Sequence, residues 1–209
     1  MAPRYNGRCT PFVLGAVHNG SMRVFAALVP PDEALTELET FVEPRRDAEP
    51  VLRWTPSHLW HVTLAFMAEV PGTSVDDLVD AVAEVAAGAT PIPLRLTGAG
   101  AFPDAAAARV VWAGLDSDDP DGLADLERLA LRTRTACGRL GLSPAGGTYR
   151  PHLTLARSRH PFDATHWLRA MDTHAGPSWD ADAITVFVSR GHRGGRPSYE
   201  AEAICPLGT

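Results

Sequence analysis

His61-Val62-Thr63-Leu64 and His152-Leu153-Thr154-Leu155 are the two stretches on which the reading of this chain turns. Each runs His, apolar, Thr, apolar, and they stand 91 positions apart in a chain of 209 residues, as two similar lobes would place them. No other His-x-Thr triplet occurs. Random placement gives about 0.6 such triplets, and roughly 0.12 once both apolar positions are required, so a matched pair is not an accident of composition. On a strand, residues i and i+2 share a face. His61 and Thr63 therefore share one face, joined by Ala65, while Val62, Leu64 and Phe66 take the other. His152 and Thr154 likewise oppose Leu153 and Leu155, and strict alternation puts Arg157 opposite His152 unless the strand first ends or bulges. Two such strands side by side would bring two imidazoles and two hydroxyls into one cleft. A free imidazole titrates near pH ~6.5, so one ring can be charged while the other is neutral. That pair suits phosphodiester hydrolysis without metal: one His takes a proton from water and the other gives one to the leaving oxygen. The Thr hydroxyls would hold the phosphate in place.

Outward from the motifs, strands and helices mix without strict βαβ alternation, which predicts an α+β fold. Strands are expected at 23–29, 60–67, 92–97, 109–115, 151–156, 184–189 and 199–204. Helices are expected at 32–42, from a Thr73-Ser74 cap to Gly88, at 122–140, and from Asp163 to about 171. Residues 45–50 read as a loop, as does the Gly-, Ala- and Pro-rich stretch 98–108. Residues 1–21, with Arg4, Arg8 and a short apolar run over 11–17, lack a clean cleavage site and read as a flexible N-terminal extension. A single domain is expected over 22–209.

Composition limits the function. Apolar residues make up 45% and charged residues 21%, ordinary for a soluble globular chain. A net charge of -6 excludes a broad basic coat for long nucleic acid but not a local pocket for one phosphate. Three cysteines form no dense framework, which points to a reducing, cytoplasmic setting. No apolar run approaches the ~20 residues needed to span a bilayer, so no membrane is expected.

The motifs and their surroundings resemble the 2H phosphoesterases, and within them the bacterial and archaeal RNA 2',3'-cyclic phosphodiesterases, also called 2'-5' RNA ligases. The likeness runs from Met22 to Pro206. It is carried by Met22-Arg23-Val24-Phe25-Ala26-Ala27-Leu28, Arg53-Trp54, Leu59-Trp60 before the first motif, Gly100-Ala101-Phe102-Pro103, Val111-Trp112-Ala113-Gly114, and Arg150-Pro151 before the second. The resemblance implies a bilobal α+β fold, two similar lobes of antiparallel sheet with outer helices and a central cleft. It implies hydrolysis of a nucleoside or RNA 2',3'-cyclic phosphate to a 2'-phosphate with no cofactor, and capacity for the reverse joining of RNA ends. By family pattern His61 is the proton donor and His152 the acceptor. Thr63, Thr154 and Arg157 bind the substrate's phosphate, and Phe102 is a candidate to stack on the base. RNA ends or nucleoside cyclic phosphates are the expected partners, and a monomer the expected state. Two other readings stay open: the same chemistry on another small cyclic phosphate or a 2'-5' oligonucleotide, and a non-catalytic nucleotide- or RNA-binding module.

Other signals are weaker. His58 and His61, with further His at 160, 166 and 174, lack the companion ligands of a zinc site. Arg190, His192, Arg193 and Arg196 read as a solvated loop or a basic lip for RNA phosphates. Cys137 reads as core.

Overall fold

The computed structural model describes residues 10–11, 20–190 and 198–208, without the side chains of Thr10, Pro11, Ala48 and Arg190. Short apolar runs supply the strands: β1 (Thr10–Pro11), β2 (Ser21–Leu28), β3 (Leu52–Trp54), β4 (Val62–Pro71), β5 (Ile92–Phe102), β6 (Ala108–Asp116), β7 (Leu153–Phe162), β8 (Ala175–Ala181), β9 (Ala183–Arg190) and β10 (Ser198–Pro206). Apolar residues three and four apart supply α1 (Asp32–Val42), α2 (Val75–Ala87), α3 (Gly122–Arg139) and α4 (Thr165–Met171). The sheet order is β1-β10-β9-β2-β4-β7-β6-β5-β8, with β3 also on β7. Among the described residues every strand pair is antiparallel. The expected α+β architecture of two antiparallel lobes is the one observed.

One lobe holds β1, β10, β9, β2 and β4, and the other β7, β6, β5, β8 and β3. They meet at one register pair, Val62 with Leu153. Beyond it β7 turns to β3, from Trp54↔Ala156 to Leu52↔Ser158, so β4 and β7 diverge. Val62, Leu64, Leu153 and Leu155 are fully buried on the helix side, with Leu38 of α1, Leu78 and Val82 of α2 and Leu126 and Ala130 of α3. The opposite face is left for the cleft.

Several sequence expectations change. The loop over 45–50 is partly a 3-10 segment, Glu43–Ala48, in which Arg46 turns back to pair with Glu39 and Glu43. The stretch read as a loop from Gly98 continues as β5 to Phe102. Gly98 has φ +62° at a register shift between Thr97 and Ala99, so it makes a bulge rather than a strand end. Gly100 pairs with Trp112, and the indole lies where a Cβ would sit, at 2.1 Å. These glycines serve a bulge and a close approach, both compatible with a strand.

Cys137 is fully buried on α3, and burial pushes its thiol up to about 11, as expected of core. Cys205 is disulfide-bonded, which runs against the reducing setting expected from the cysteine count, since such bonds are rare in the cytosol. Most of the extension over 1–21, and the basic-loop residues His192, Arg193 and Arg196, lie outside the described residues. Among the described residues no helix is long and apolar enough to cross a membrane.

Gly100→Ala is expected to lower the unfolding free energy by about 1–3 kcal/mol, because the added methyl must displace the Trp112 ring. Urea denaturation measures this, and an unchanged midpoint would show that the ring has room to move.

Candidate active site

The strands bearing the two motifs are irregular in the same way. On β4, Ala65 pairs with Ala26 and Thr63 with Ala27, leaving Leu64 as an extra residue. On β7, Ala156 pairs with Val111 and Thr154 with Trp112, leaving Leu155 extra. Each motif thus carries a bulge at its fourth residue, and both strands open with the same burial sequence of buried, half-buried, buried, buried. A bulge reverses the alternation beyond it. Ala65 is therefore buried rather than on the His61 face, and Phe66 comes to the cleft instead of packing behind it. The second bulge brings Arg157 to the cleft, which strict alternation would have forbidden.

The carbonyls of both extra residues are used. Leu64 O accepts from Arg134 Nε of α3 at 3.1 Å, and Leu155 O accepts from the Thr55 amide at 2.8 Å. Arg134 Nη1 also donates to Gly147 O at 3.3 Å, on the segment that leads into the second motif. One side chain therefore ties the first bulge to the approach of the second His.

Because Val62 faces Leu153, antiparallel register sets His61 level with Thr154, and Thr63 level with His152. All four line a cleft of about 400 Å³ with Arg23, Phe25, Thr55, Leu59, Phe66, Arg157, Ser189 and Tyr199. Both imidazoles are held alike. His61 Nδ1 lies 2.8 Å from Leu59 O, and His152 Nδ1 lies 2.7 Å from Arg150 O. A carbonyl can only accept, so each Nδ1 carries hydrogen and each Nε2 is left for the cleft. Trp60 Nε1 donates to Thr55 O at 3.0 Å and fixes the turn ahead of His61.

The surroundings of the two rings differ. His61 stacks on Phe25, with centroids 4.7 Å apart, and Tyr199 stands edge-on to it at 5.6 Å. Phe187 backs Phe25 at 5.0 Å. His152 meets Phe102 edge-on at 4.9 Å and Trp112 at 5.9 Å. Phe102 does not line the cleft; it packs on Trp112 at 5.4 Å, with Arg150 at 5.9 Å from its ring centroid. Desolvation lowers the pKa of both histidines, against the raising effect of each backbone hydrogen bond. The Arg157 cation lowers both further, and His152 adds to the effect on His61.

Sequence reasoning named His61, Thr63, His152, Thr154 and Arg157, and the fold gathers all five. It missed Phe66, hidden by the bulge. It also gave no site role to Phe25, Ser189 and Tyr199, which arrive from other strands. Among the described residues no three His, Cys, Asp or Glu side chains converge as a metal site.

The sequence profile of the 2'-5' RNA ligase superfamily matches residues 30–193. An RNA 2',3'-cyclic phosphodiesterase of Geobacillus stearothermophilus is 29% identical over 183 residues, 88% of this chain. The chain spans just over half, 56%, of that relative's length. One from Thermus thermophilus is 32% identical over 143 residues, covering 67% of this chain and 70% of the relative. A crystal structure from Thermus thermophilus superposes with TM-score 0.69 at 26% identity, covering 89% of this chain and 98% of that one. Escherichia coli LigT complexed with 3'-AMP superposes with TM-score 0.69 at 25% identity, covering 90% and 98%.

Both imidazoles are expected to titrate below pH ~6.5 by NMR. Arg157→Gln removes a cation that disfavours their charged forms, so both midpoints should rise. If neither moves, Arg157 is not electrostatically linked to the rings.

Proposed function

The chain belongs to the 2'-5' RNA ligase superfamily, and on that premise we propose that it hydrolyses 2',3'-cyclic phosphates, at RNA ends or on nucleosides, to 2'-phosphomonoesters without metal. The observation that carries this reading is the Val62–Leu153 register, which sets two Nδ1-anchored imidazoles and two threonines on one cleft face. The relatives named RNA 2',3'-cyclic phosphodiesterase support the choice of substrate.

In this mechanism His152 Nε2 takes a proton from water as the water oxygen attacks phosphorus. The bond from phosphorus to the 3'-oxygen breaks, and protonated His61 gives its Nε2 proton to that oxygen. The phosphate stays on the 2'-oxygen, and the two rings exchange protons with solvent to reset. The donor and acceptor assignment follows the family pattern. Thr63 and Thr154 hydroxyls and the Arg157 guanidinium hold the non-bridging oxygens, where charge builds in the transition state. With an RNA 5'-hydroxyl in place of water, the same two transfers join ends through a 2'-5' bond. Phe102 supports His152 edge-on and is the candidate to stack on a base. A monomer acting on RNA ends or nucleoside cyclic phosphates completes the proposal.

His61→Ala and His152→Ala should each lower kcat for adenosine 2',3'-cyclic phosphate by about 10²-fold or more while nucleotide binding persists. Wild-type turnover by either variant would refute the two-histidine mechanism. Turnover should also survive EDTA; loss of activity restored by zinc or manganese would sink the metal-free claim.

The pH dependence follows from the lowered pKa values. The base must be neutral and the acid protonated, so kcat/KM is a bell centred between the two free-enzyme values. Both are lowered, so the maximum should fall below pH ~6.5 rather than at neutrality. A bound anionic phosphate favours the charged rings, so the kcat profile should lie at higher pH than that of kcat/KM. A kcat/KM that climbs steadily into alkali would exclude this acid–base pair.

A further inference from the structure

Arg157 has a second arginine directly beside it. Arg53 on β3 is its antiparallel register partner. Leu52 is buried and Trp54 packs toward Trp167, with ring centroids 5.9 Å apart, so alternation turns Arg53 to the other face of the strand. Directly opposed cross-strand side chains share a face, which for this pair is the cleft face that Arg157 occupies. Among the described residues neither guanidinium is paired with a carboxylate. Arg46, nearby on the chain, is held by both Glu39 and Glu43.

Like charges directly opposite on neighbouring strands repel. The chain has 25 acidic residues, yet among the described residues none is spent on this pair. The juxtaposition is relieved by a ligand carrying two adjacent negative charges. Arg157 lines the cleft beside the histidines, whereas Arg53 lies one strand farther out. The separation of opposed residues on antiparallel strands, about 5 Å between Cα atoms, extended by two mobile side chains, is on the scale of neighbouring phosphates in one nucleic-acid strand.

We propose that Arg53 forms a second phosphate subsite. It holds the phosphodiester one nucleotide before the reacting cyclic phosphate, so the preferred substrate is an RNA end rather than a free mononucleotide. This rests on the cyclic phosphodiesterase reading above. Arg157 binds the reacting phosphate, and Arg53 binds only what a longer substrate adds.

The test compares adenosine 2',3'-cyclic phosphate with the dinucleotide ApA bearing a terminal 2',3'-cyclic phosphate. Wild-type protein, Arg53→Gln and Arg53→Lys are assayed at several salt concentrations. The wild type should favour the dinucleotide in kcat/KM, with a steeper loss on adding salt than for the mononucleotide. Arg53→Gln should lower the dinucleotide-to-mononucleotide ratio by about tenfold and remove the extra salt dependence. Arg53→Lys should keep most of both. A ratio unchanged in Arg53→Gln, or an equal loss on both substrates, would overturn the subsite while leaving the phosphodiesterase reading intact. Absence of wild-type turnover on either substrate would overturn the parent reading and the subsite with it.

Discussion

A single backbone register pair, Val62 with Leu153, fixes where the chemistry can occur. It joins segments 91 residues apart and determines that each His stands level with the other motif's Thr. A slip of one residue in either strand would turn that strand's His and Thr away from the cleft. The seam is reinforced from behind. Arg134 holds the Leu64 carbonyl and the Gly147 carbonyl, and the Thr55 amide holds the Leu155 carbonyl. The carbonyl freed by the first bulge is thus used, through Arg134, to tie one lobe to the other, and that freed by the second to fix the segment after β3.

Much of the fold could be read from the sequence. The spacing of Leu35, Leu38 and Val42 predicts α1 to its observed bounds, and the paired motifs locate the central strands. Periodicity fails at Leu64 and Leu155, where an extra residue reverses the alternation. Nothing in Leu-Ala marks a bulge in advance. The reversal decides the character of the cleft, because it presents Phe66 in one lobe and Arg157 in the other, each three residues beyond its Thr. The family resemblance pointed to Arg157 without a geometric reason; the bulge supplies one. β8 was invisible because Ala-Gly-Pro-Ser-Trp-Asp-Ala has neither alternation nor strand formers apart from Trp179. The aromatic wall of Phe25, Phe187 and Tyr199 is assembled by long-range pairing, beyond any local pattern.

Electrostatically the cleft is unlike the chain that makes it. The protein carries a net charge of -6, yet among the described residues the lining of the cleft includes Arg23, Arg157 and two histidines and no carboxylate. Over distances beyond the Debye length the acidic surface is screened, so the local cations govern what settles in the cleft. Enclosure in the cleft, with the Arg157 cation, holds both imidazoles below their free pKa, a balance that a phosphate anion bound there would reverse.

The order of the strands also bears on how the protein is made. The lobe of His152 draws most of its strands from one continuous stretch, β5 to β8, and can close with largely local contacts. The lobe of His61 cannot. Its β2 lies between β4 and β9, and the rings around His61 include Phe187 and Tyr199 from the final two strands. A chain emerging from the ribosome therefore has both motifs translated well before the enclosure of His61 exists. The proposed activity would have to await the last strands, because a nascent or C-terminally shortened chain carries the motifs without the environment that tunes them.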